Sequence, residues 1–240
     1  MTTSDRLTDQ TLLFDADDTL WENNIYFEQA IAAFISYLDH RVHSPEEVRE
    51  HLNTCERATI AEFGYGLISF RRSLITCFEQ LTDLPLTEEE RAVRHARIVS
   101  FTEAIAATEI ELLPAVYTTL RELAQRHRCI LVTKGNPEEQ NDKLIRSGLA
   151  SLFTAVEVLP EKNPAAYRDI VLRHACLPSS TWMIGNSPRS DINPSLAAGL
   201  NAVFIPHDLT WALEHEAVDA PPPNQQLLEL PTFAHLAQHF

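Results

Sequence analysis

A short apolar run, Thr11 to Phe14, stops abruptly at Asp15-Ala16-Asp17-Asp18-Thr19. A strand covered on both faces has this character: apolar along its length, polar where its carboxyl end opens into a loop. Similar runs recur at Cys129 to Val132, Leu152 to Val156, Trp182 to Ile184 and Ala202 to Ile205, with helix-period segments between them. The alternation predicts βαβ units, hence an α/β chain with a Rossmann-like three-layer core and a parallel sheet joined by right-handed crossovers. Pro114 is read as opening a helix to about His127. Asn136-Pro137-Glu138-Glu139 supplies an N-cap, a first turn and a capping box, and Asn163-Pro164 repeats the device. Gly148 and Gly199 fall where helices must end.

Between Trp21 and about Glu109 the strand pattern disappears. Helix-like segments run from Tyr26 to Asp39, Pro45 to Glu62, Ser69 to Leu81 and Thr87 to Ala107. They predict an inserted all-helical cap, residues 22–109, acting as a lid on a discontinuous core of residues 1–21 and 110–240. Pro221-Pro222-Pro223 marks a rigid break, after which an amphipathic segment from Leu227 to Phe240 is expected to dock on the core.

A net charge of -15 argues against nucleic acid or an anionic membrane as partner, because both require a basic face. No apolar run is long enough to cross a bilayer, and MTTSDRLTDQ has no basic-then-apolar leader, so the cytoplasm is the expected location. Cys55, Cys77, Cys129 and Cys176 lie far apart with no CxxC pair, which predicts reduced, mostly buried thiols. The histidines show no HxH or HExxH spacing and are given no chemistry. No feature specifies an oligomeric state. An acidic protein that handles an anionic substrate needs local positive charge, which a bound divalent metal supplies.

Ligands of open α/β sheets bind beyond the carboxyl ends of the strands, so the residues after each apolar run belong together. They are Asp15, Asp17, Asp18 and Thr19, then Thr133, Lys134 and Gly135, then Lys162, then Gly185, Asn186, Ser187 and Asp191. Phosphoryl transfer needs a nucleophile, cations and donors around the phosphoryl oxygens, and a proton source for the leaving group. Asp15 is the candidate nucleophile, and Asp17, two residues on, the candidate general acid and base. Magnesium, which prefers oxygen ligands in an octahedron, would take Asp15, Asp191 and the backbone carbonyl of Asp17. Thr133 and Lys162 would hold the phosphoryl oxygens beside Lys134 and Gly135, with Thr19, Asn186 and Ser187 in support. Arg71 and Arg72, after Gly64-Tyr65-Gly66, are candidate cap contacts to substrate. An acidic cluster after a strand also serves simply to cap a helix. A calcium loop fails, because its glycine would fall at Leu20 and its closing glutamate at Tyr26.

Asp15-Ala16-Asp17-Asp18-Thr19 resembles the DxDxT first motif of the haloacid dehalogenase-like hydrolases. Thr133 matches that superfamily's second motif, Lys162 its third and Gly185 to Asp191 its acidic fourth, and the inserted helices resemble its C1-type cap. The likeness covers nearly the whole chain. It implies a magnesium-dependent phosphatase that acts on a small phosphorylated metabolite through an aspartyl-phosphate. Relatives usually carry an acid where this chain has Asn186, which removes a charge from around the metal. Members that cleave carbon–halogen bonds typically lack the acid found here as Asp17. A phosphonate-cleaving relative would need a cap lysine, and residues 21–109 contain none. A 2-haloacid dehalogenase stays open as a rival, and so does a catalytically impaired binding or regulatory module in which Asn186 has cost the metal site its function. Sugar phosphates, nucleotides and flavin mononucleotide all stay open as substrates.

Overall fold

A computed structural model describes residues 6–82 and 85–240. Residues 1–5, which open the segment read for a leader, lie outside that range. The chain divides into two units, Met1–Asn24 with Ile110–Phe240, and Ile25–Glu109. Residues 22–24 therefore belong with the first unit and not with the insertion.

The first unit is built on six parallel strands in the order β3-β2-β1-β4-β5-β6. They are β1 (Thr11–Phe14), β2 (Arg128–Lys134), β3 (Ala155–Leu159), β4 (Thr181–Gly185), β5 (Asn201–Phe204) and β6 (Leu227–Glu229). β1 sits in the middle, with Phe14 opposite Leu131 of β2 on one side and Ile184 of β4 on the other. The chain winds outward from β1 to β3, crosses back, and winds outward again through β4 to β6. The direction reverses between β1 and β4, and such a switch point is where open α/β sheets hold their ligands.

Alternation along β1 feeds both faces of the sheet. Leu12 and Phe14 pack with Leu131, Trp182 and Ile184 under α5 (Val116–Leu123), α6 (Pro137–Arg146) and α9 (Leu236–His239). Leu13 packs on the opposite face with Ile130, Val132 and Met183, covered by Tyr167 and Ile170 of α7 (Pro164–Arg173). Beyond β4 the short α8 (Asn193–Ala197) packs through Leu196 onto Ala202 of β5. The result is a three-layer core. Asn136 caps α6 through Glu138 N and Glu139 N, and Asn163 caps α7 through Ala166 N, each followed by proline in the first turn.

Three expectations are corrected. The run from Leu152 to Val156 is not the third strand: Leu152 closes a 3-10 turn, and β3 runs Ala155–Leu159. β3 is an edge strand with Val156 exposed and Glu157 within it, so the rule of unbroken apolarity for a doubly covered strand does not apply there. Pro114 does not open a helix, because Ala115 takes a left-handed φ of 64° and α5 begins at Val116. The segment from Leu227 starts as a strand, β6, beside β5. Three residues are too few to show a period. The remainder does dock: Phe240 is fully buried, edge-on to Trp182 with ring centroids 5.2 Å apart.

The second unit holds α1 (Asn24–Leu38, whose first residue counts with the first unit), α2 (Pro45–Phe63), α3 (Leu67–Leu81) and α4 (Glu88–Ala107). Capping boxes pair Ser44 with Glu47 and Thr87 with Glu90 at the starts of α2 and α4. Phe34, Leu52, Leu74, Phe78, Ile98 and Phe101 form its own core. All four cysteines are reduced and buried. No described helix is long and apolar enough to cross a membrane.

One residue of this helical core is electrostatically costly. Glu56 of α2 is 4% exposed, and its Oε2 has no hydrogen-bond partner among the described residues. Burial pushes its carboxyl from 4.5 up to about 7, against the pull of the Arg49 guanidinium. The folded form thus holds the proton more tightly than the unfolded form, so the contribution is complete below about pH 4.5 and lost as pH rises through 7. Glu56→Gln is expected to leave stability unchanged at pH 4 and to raise it by about 1–3 kcal/mol at pH 8, read by urea unfolding. Equal effects at both pH values would show that Glu56 is not the titrating group.

Candidate active site

Three strand ends meet on one ammonium. Asp15 follows β1 directly, and its backbone N–H donates to Ile184 O at 2.9 Å, which ties it to β4. Lys162, 4% exposed, lies between β3 and α7. Its Nζ donates to Asp15 Oδ1 at 2.5 Å and to Asp191 Oδ1 at 2.7 Å. Asp191 is fully buried in a π-helical turn, Pro188–Ile192, that follows β4. The second oxygen of Asp191 accepts from Ser187 N at 3.0 Å. A Cβ at Gly185 would come within 2.2 Å of that oxygen, so only glycine leaves room for the carboxylate.

The charges in this cluster do not cancel. Burial, then the neighbouring Asp15, push the Asp191 carboxyl up to about 7, although Lys162 and the Ser187 N–H pull it down. Burial alone would lower the Lys162 pKa, but Asp15 and Asp191 outweigh it and raise the pKa above its ordinary value. Two carboxylates and one ammonium leave negative charge in excess where little water reaches. The donors are the hard carboxylate oxygens of Asp15 and Asp191. This set fits a hard divalent cation.

Around that centre, Thr19 Oγ1 donates to Asp15 Oδ2 at 3.0 Å and lies 3.2 Å from Asn186 Oδ1. Asp15, Lys162, Asp191, Thr19, Asn186 and Ser187 are thus one connected set. Thr133 is 1% exposed at the carboxyl end of β2, in register with Val158 of β3. Gly135 takes a φ of 141°, and a Cβ there would meet Gln140 Nε2 at 3.2 Å.

Asp17 belongs to a second set. Its Oδ1 accepts from Trp21 Nε1 at 2.7 Å and from Lys143 Nζ at 2.8 Å, and its Oδ2 from Gln140 Nε2 at 3.0 Å. Lys143 also donates to Asn23 Oδ1 at 2.7 Å. Burial raises the Asp17 pKa, but the Lys143 charge and these hydrogen bonds outweigh it and hold the carboxyl below its ordinary value. Gln140 and Lys143 were missed in the sequence, although their i, i+3 spacing on α6 puts them on one face.

Lys134, expected at the phosphoryl oxygens, instead donates to Glu214 Oε1 at 2.5 Å and to Ser190 Oγ at 2.8 Å. A buried carboxylate in reach explains the difference. Glu214 was also missed; it lies in the irregular connection between β5 and β6, where no periodicity points to it. Arg71 Nε donates to Thr102 Oγ1 at 3.0 Å, and Arg72 lies over the Phe63 ring at 3.9 Å, both within the helical unit. Asp18, Glu22 and His207 bring ligand atoms within 4.8 Å of one another. His207 Nδ1 accepts from Leu209 N, which turns Nε2 toward Glu22 at 3.4 Å. An imidazole in the set makes it a poorer match to magnesium than Asp15 and Asp191 are.

A haloacid dehalogenase-like hydrolase family model matches residues 10–199. A phosphoserine phosphatase from Thermus thermophilus is 29% identical over 104 residues, which span 41% of this chain and 42% of that protein. The match therefore covers less than half of that relative. A haloacid dehalogenase-like family hydrolase from Xanthomonas campestris superposes with a TM-score of 0.80 at 28% identity, over 96% of this chain and 90% of that one. A 2-haloacid dehalogenase from Pseudomonas syringae superposes with a TM-score of 0.61 at 20% identity, over 96% and 97% of the two chains. At that identity the likeness is one of fold.

Lys162 holds the cluster together, so removing its charge leaves two buried carboxylates facing each other. Lys162→Met is expected to cost about 3–5 kcal/mol in the presence of chelator, measured by urea unfolding, with part of the loss recovered in millimolar magnesium. A variant as stable as the wild type in chelator would show that the ion pairs do not organise the site.

Proposed function

Because the chain belongs to the haloacid dehalogenase-like hydrolases, we propose that it is a magnesium-dependent phosphatase that hydrolyses a small phosphomonoester through an aspartyl-phosphate. The observation that carries this reading is the second acid, Asp17, two residues from the nucleophile. A halide leaves as a stable anion and needs no proton, whereas an alkoxide must be protonated as it departs. As a proton donor to the leaving group, an acid beside the nucleophile therefore has work to do only when that group is oxygen.

In the first step Asp15 attacks phosphorus. The bond from Asp15 to phosphorus forms as the bond to the substrate oxygen breaks, and Asp17 gives its proton to the departing alcohol. The Lys162 ammonium and the Thr133 hydroxyl hold the phosphoryl oxygens while their charge redistributes. In the second step water attacks the aspartyl-phosphate, Asp17 takes its proton, and inorganic phosphate leaves with Asp15 restored. Asp15, Asp191 and the Asp17 carbonyl would hold magnesium, which would supply positive charge to the phosphoryl group. In the resting protein Lys143 and Gln140 hold the Asp17 carboxylate, so it must exchange these partners for a proton before the first step. The phosphoserine phosphatase likeness supports this class of substrate.

The test is phosphate release from a panel of phosphorylated metabolites, with and without magnesium. Wild-type protein is expected to release phosphate only with the metal. Asp15→Asn is expected to abolish release in folded protein, and Asp17→Asn to cut kcat by at least about 100-fold while leaving magnesium affinity within a few-fold. Halide release from 2-haloacids without phosphate release from any ester would overturn the reading in favour of a dehalogenase.

A further inference from the structure

Glu214 is a buried carboxylate that the two-step reaction does not use. It closes a 3-10 turn, Ala212–Glu214, in the long connection from β5 to β6, and is 8% exposed. That connection is fastened to the turn after β4 and to the start of α8, on either side of Glu214. Arg189 Nη1 donates to Leu213 O at 2.7 Å, Asn193 Nδ2 donates to Ala217 O at 2.8 Å, and Asp219 N donates to Asn193 Oδ1 at 2.9 Å.

The carboxylate is where a chain of hydrogen bonds ends. Oε1 accepts from Lys134 Nζ at 2.5 Å, and Oε2 accepts from Ser187 Oγ at 2.6 Å and from Ser190 Oγ in a short hydrogen bond. Ser187 Oγ accepts in turn from Ser190 N at 3.0 Å, and Ser190 Oγ accepts from Lys134 at 2.8 Å. Both serines lie just before Asp191 in the same turn. Ser187 N donates to Asp191 Oδ2 at 3.0 Å, and Asp191 N donates back to Ser187 O at 2.9 Å. Tyr167 Oη, donating to Ser190 O at 2.9 Å, holds the turn from the α7 side.

We infer that Glu214 is a positioning residue which, through Ser187 and Ser190, fixes the turn carrying Asp191 and so sets how tightly the site holds magnesium. The inference rests on the reading of Asp15 and Asp191 as metal ligands. Only a carboxylate fits the role, because both oxygens must accept: one from an ammonium, the other from two hydroxyls. A glutamine has a single acceptor oxygen. Its amide nitrogen must face either Lys134, which loses the ion pair, or the serines, which removes the acceptor that both hydroxyls use next to Asp191. With an amide at Asn186 where relatives usually carry an acid, the site depends more heavily on Asp191 being held in place.

The experiment is calorimetric titration of the full-length wild type, Glu214→Gln and Ser190→Ala with magnesium chloride, with melting temperatures recorded in chelator. Glu214→Gln is expected to raise the Kd by about 10- to 100-fold at unchanged stoichiometry. Ser190→Ala, which leaves the Lys134 to Glu214 ion pair in place, is expected to raise it by a smaller factor. Phosphate release by Glu214→Gln should return to within a few-fold of the wild-type kcat at saturating magnesium. Wild-type Kd values in the variants would overturn the inference, as would a reduced stoichiometry at unchanged Kd, which reports lost folded protein and not a misplaced ligand. If Glu214→Gln does not fold, Ser190→Ala decides alone, and a wild-type Kd there overturns the inference. A wild type that binds no magnesium would overturn the metal-site reading itself, and the inference with it.

Discussion

The ammonium of Lys162 between Asp15 and Asp191 is the interaction on which the site depends. Its partners come from the ends of β1 and β4, and it approaches from the connection between β3 and α7. No pair of them is close in sequence. Each charge is too buried to stand alone, so any one of the three is tolerable only when the other two are present. The sheet order makes that possible: β1 pairs with β4 at the switch point, and the two carboxylates emerge on adjacent strands. Gly185 then leaves the space that Asp191 occupies, so the strand and the charge it delivers are specified together.

A second lysine separates the two acids of the first motif. Asp15 faces Lys162 and Asp17 faces Lys143, although only Ala16 lies between them. Side chains two residues apart at a strand end can serve different neighbourhoods, and here the neighbourhoods are the sheet centre and α6. Two carboxylates held in different settings are what acid–base and nucleophilic chemistry require of one short motif.

Much of this was legible in the sequence because the signals were local. The first motif is contiguous, β1 and β4 are apolar on both faces, and the N-caps at Asn136 and Asn163 sit next to the prolines that start their helices. What was not legible depends on contacts between distant segments. β3 reads as polar because an edge strand has one side in water, and β6 is too short to show a period. Lys134 looked like a phosphate ligand from its place after β2, but its setting is decided by Glu214, some eighty residues later in a segment without regular structure. Charge is visible in a sequence; the partner that claims it is visible only in the fold.

The position of β1 in the sheet also bears on how the chain is made. Thr11–Phe14 leaves the ribosome before the other five strands of its sheet, yet it must sit between two strands synthesised far later. At common rates of synthesis, the stretch from Phe14 to Ile184 takes roughly 10–30 s to emerge. For most of that interval Asp15 is present without Lys162, and for all of it without Asp191, while Ile25–Glu109, with a core of its own, is already complete. The cluster of Asp15, Lys162 and Asp191 is therefore a late product of translation, closed only when the residues around Gly185 and Asp191 arrive. A nascent or truncated chain that stops short of them carries the first motif without the partners that hold Asp15.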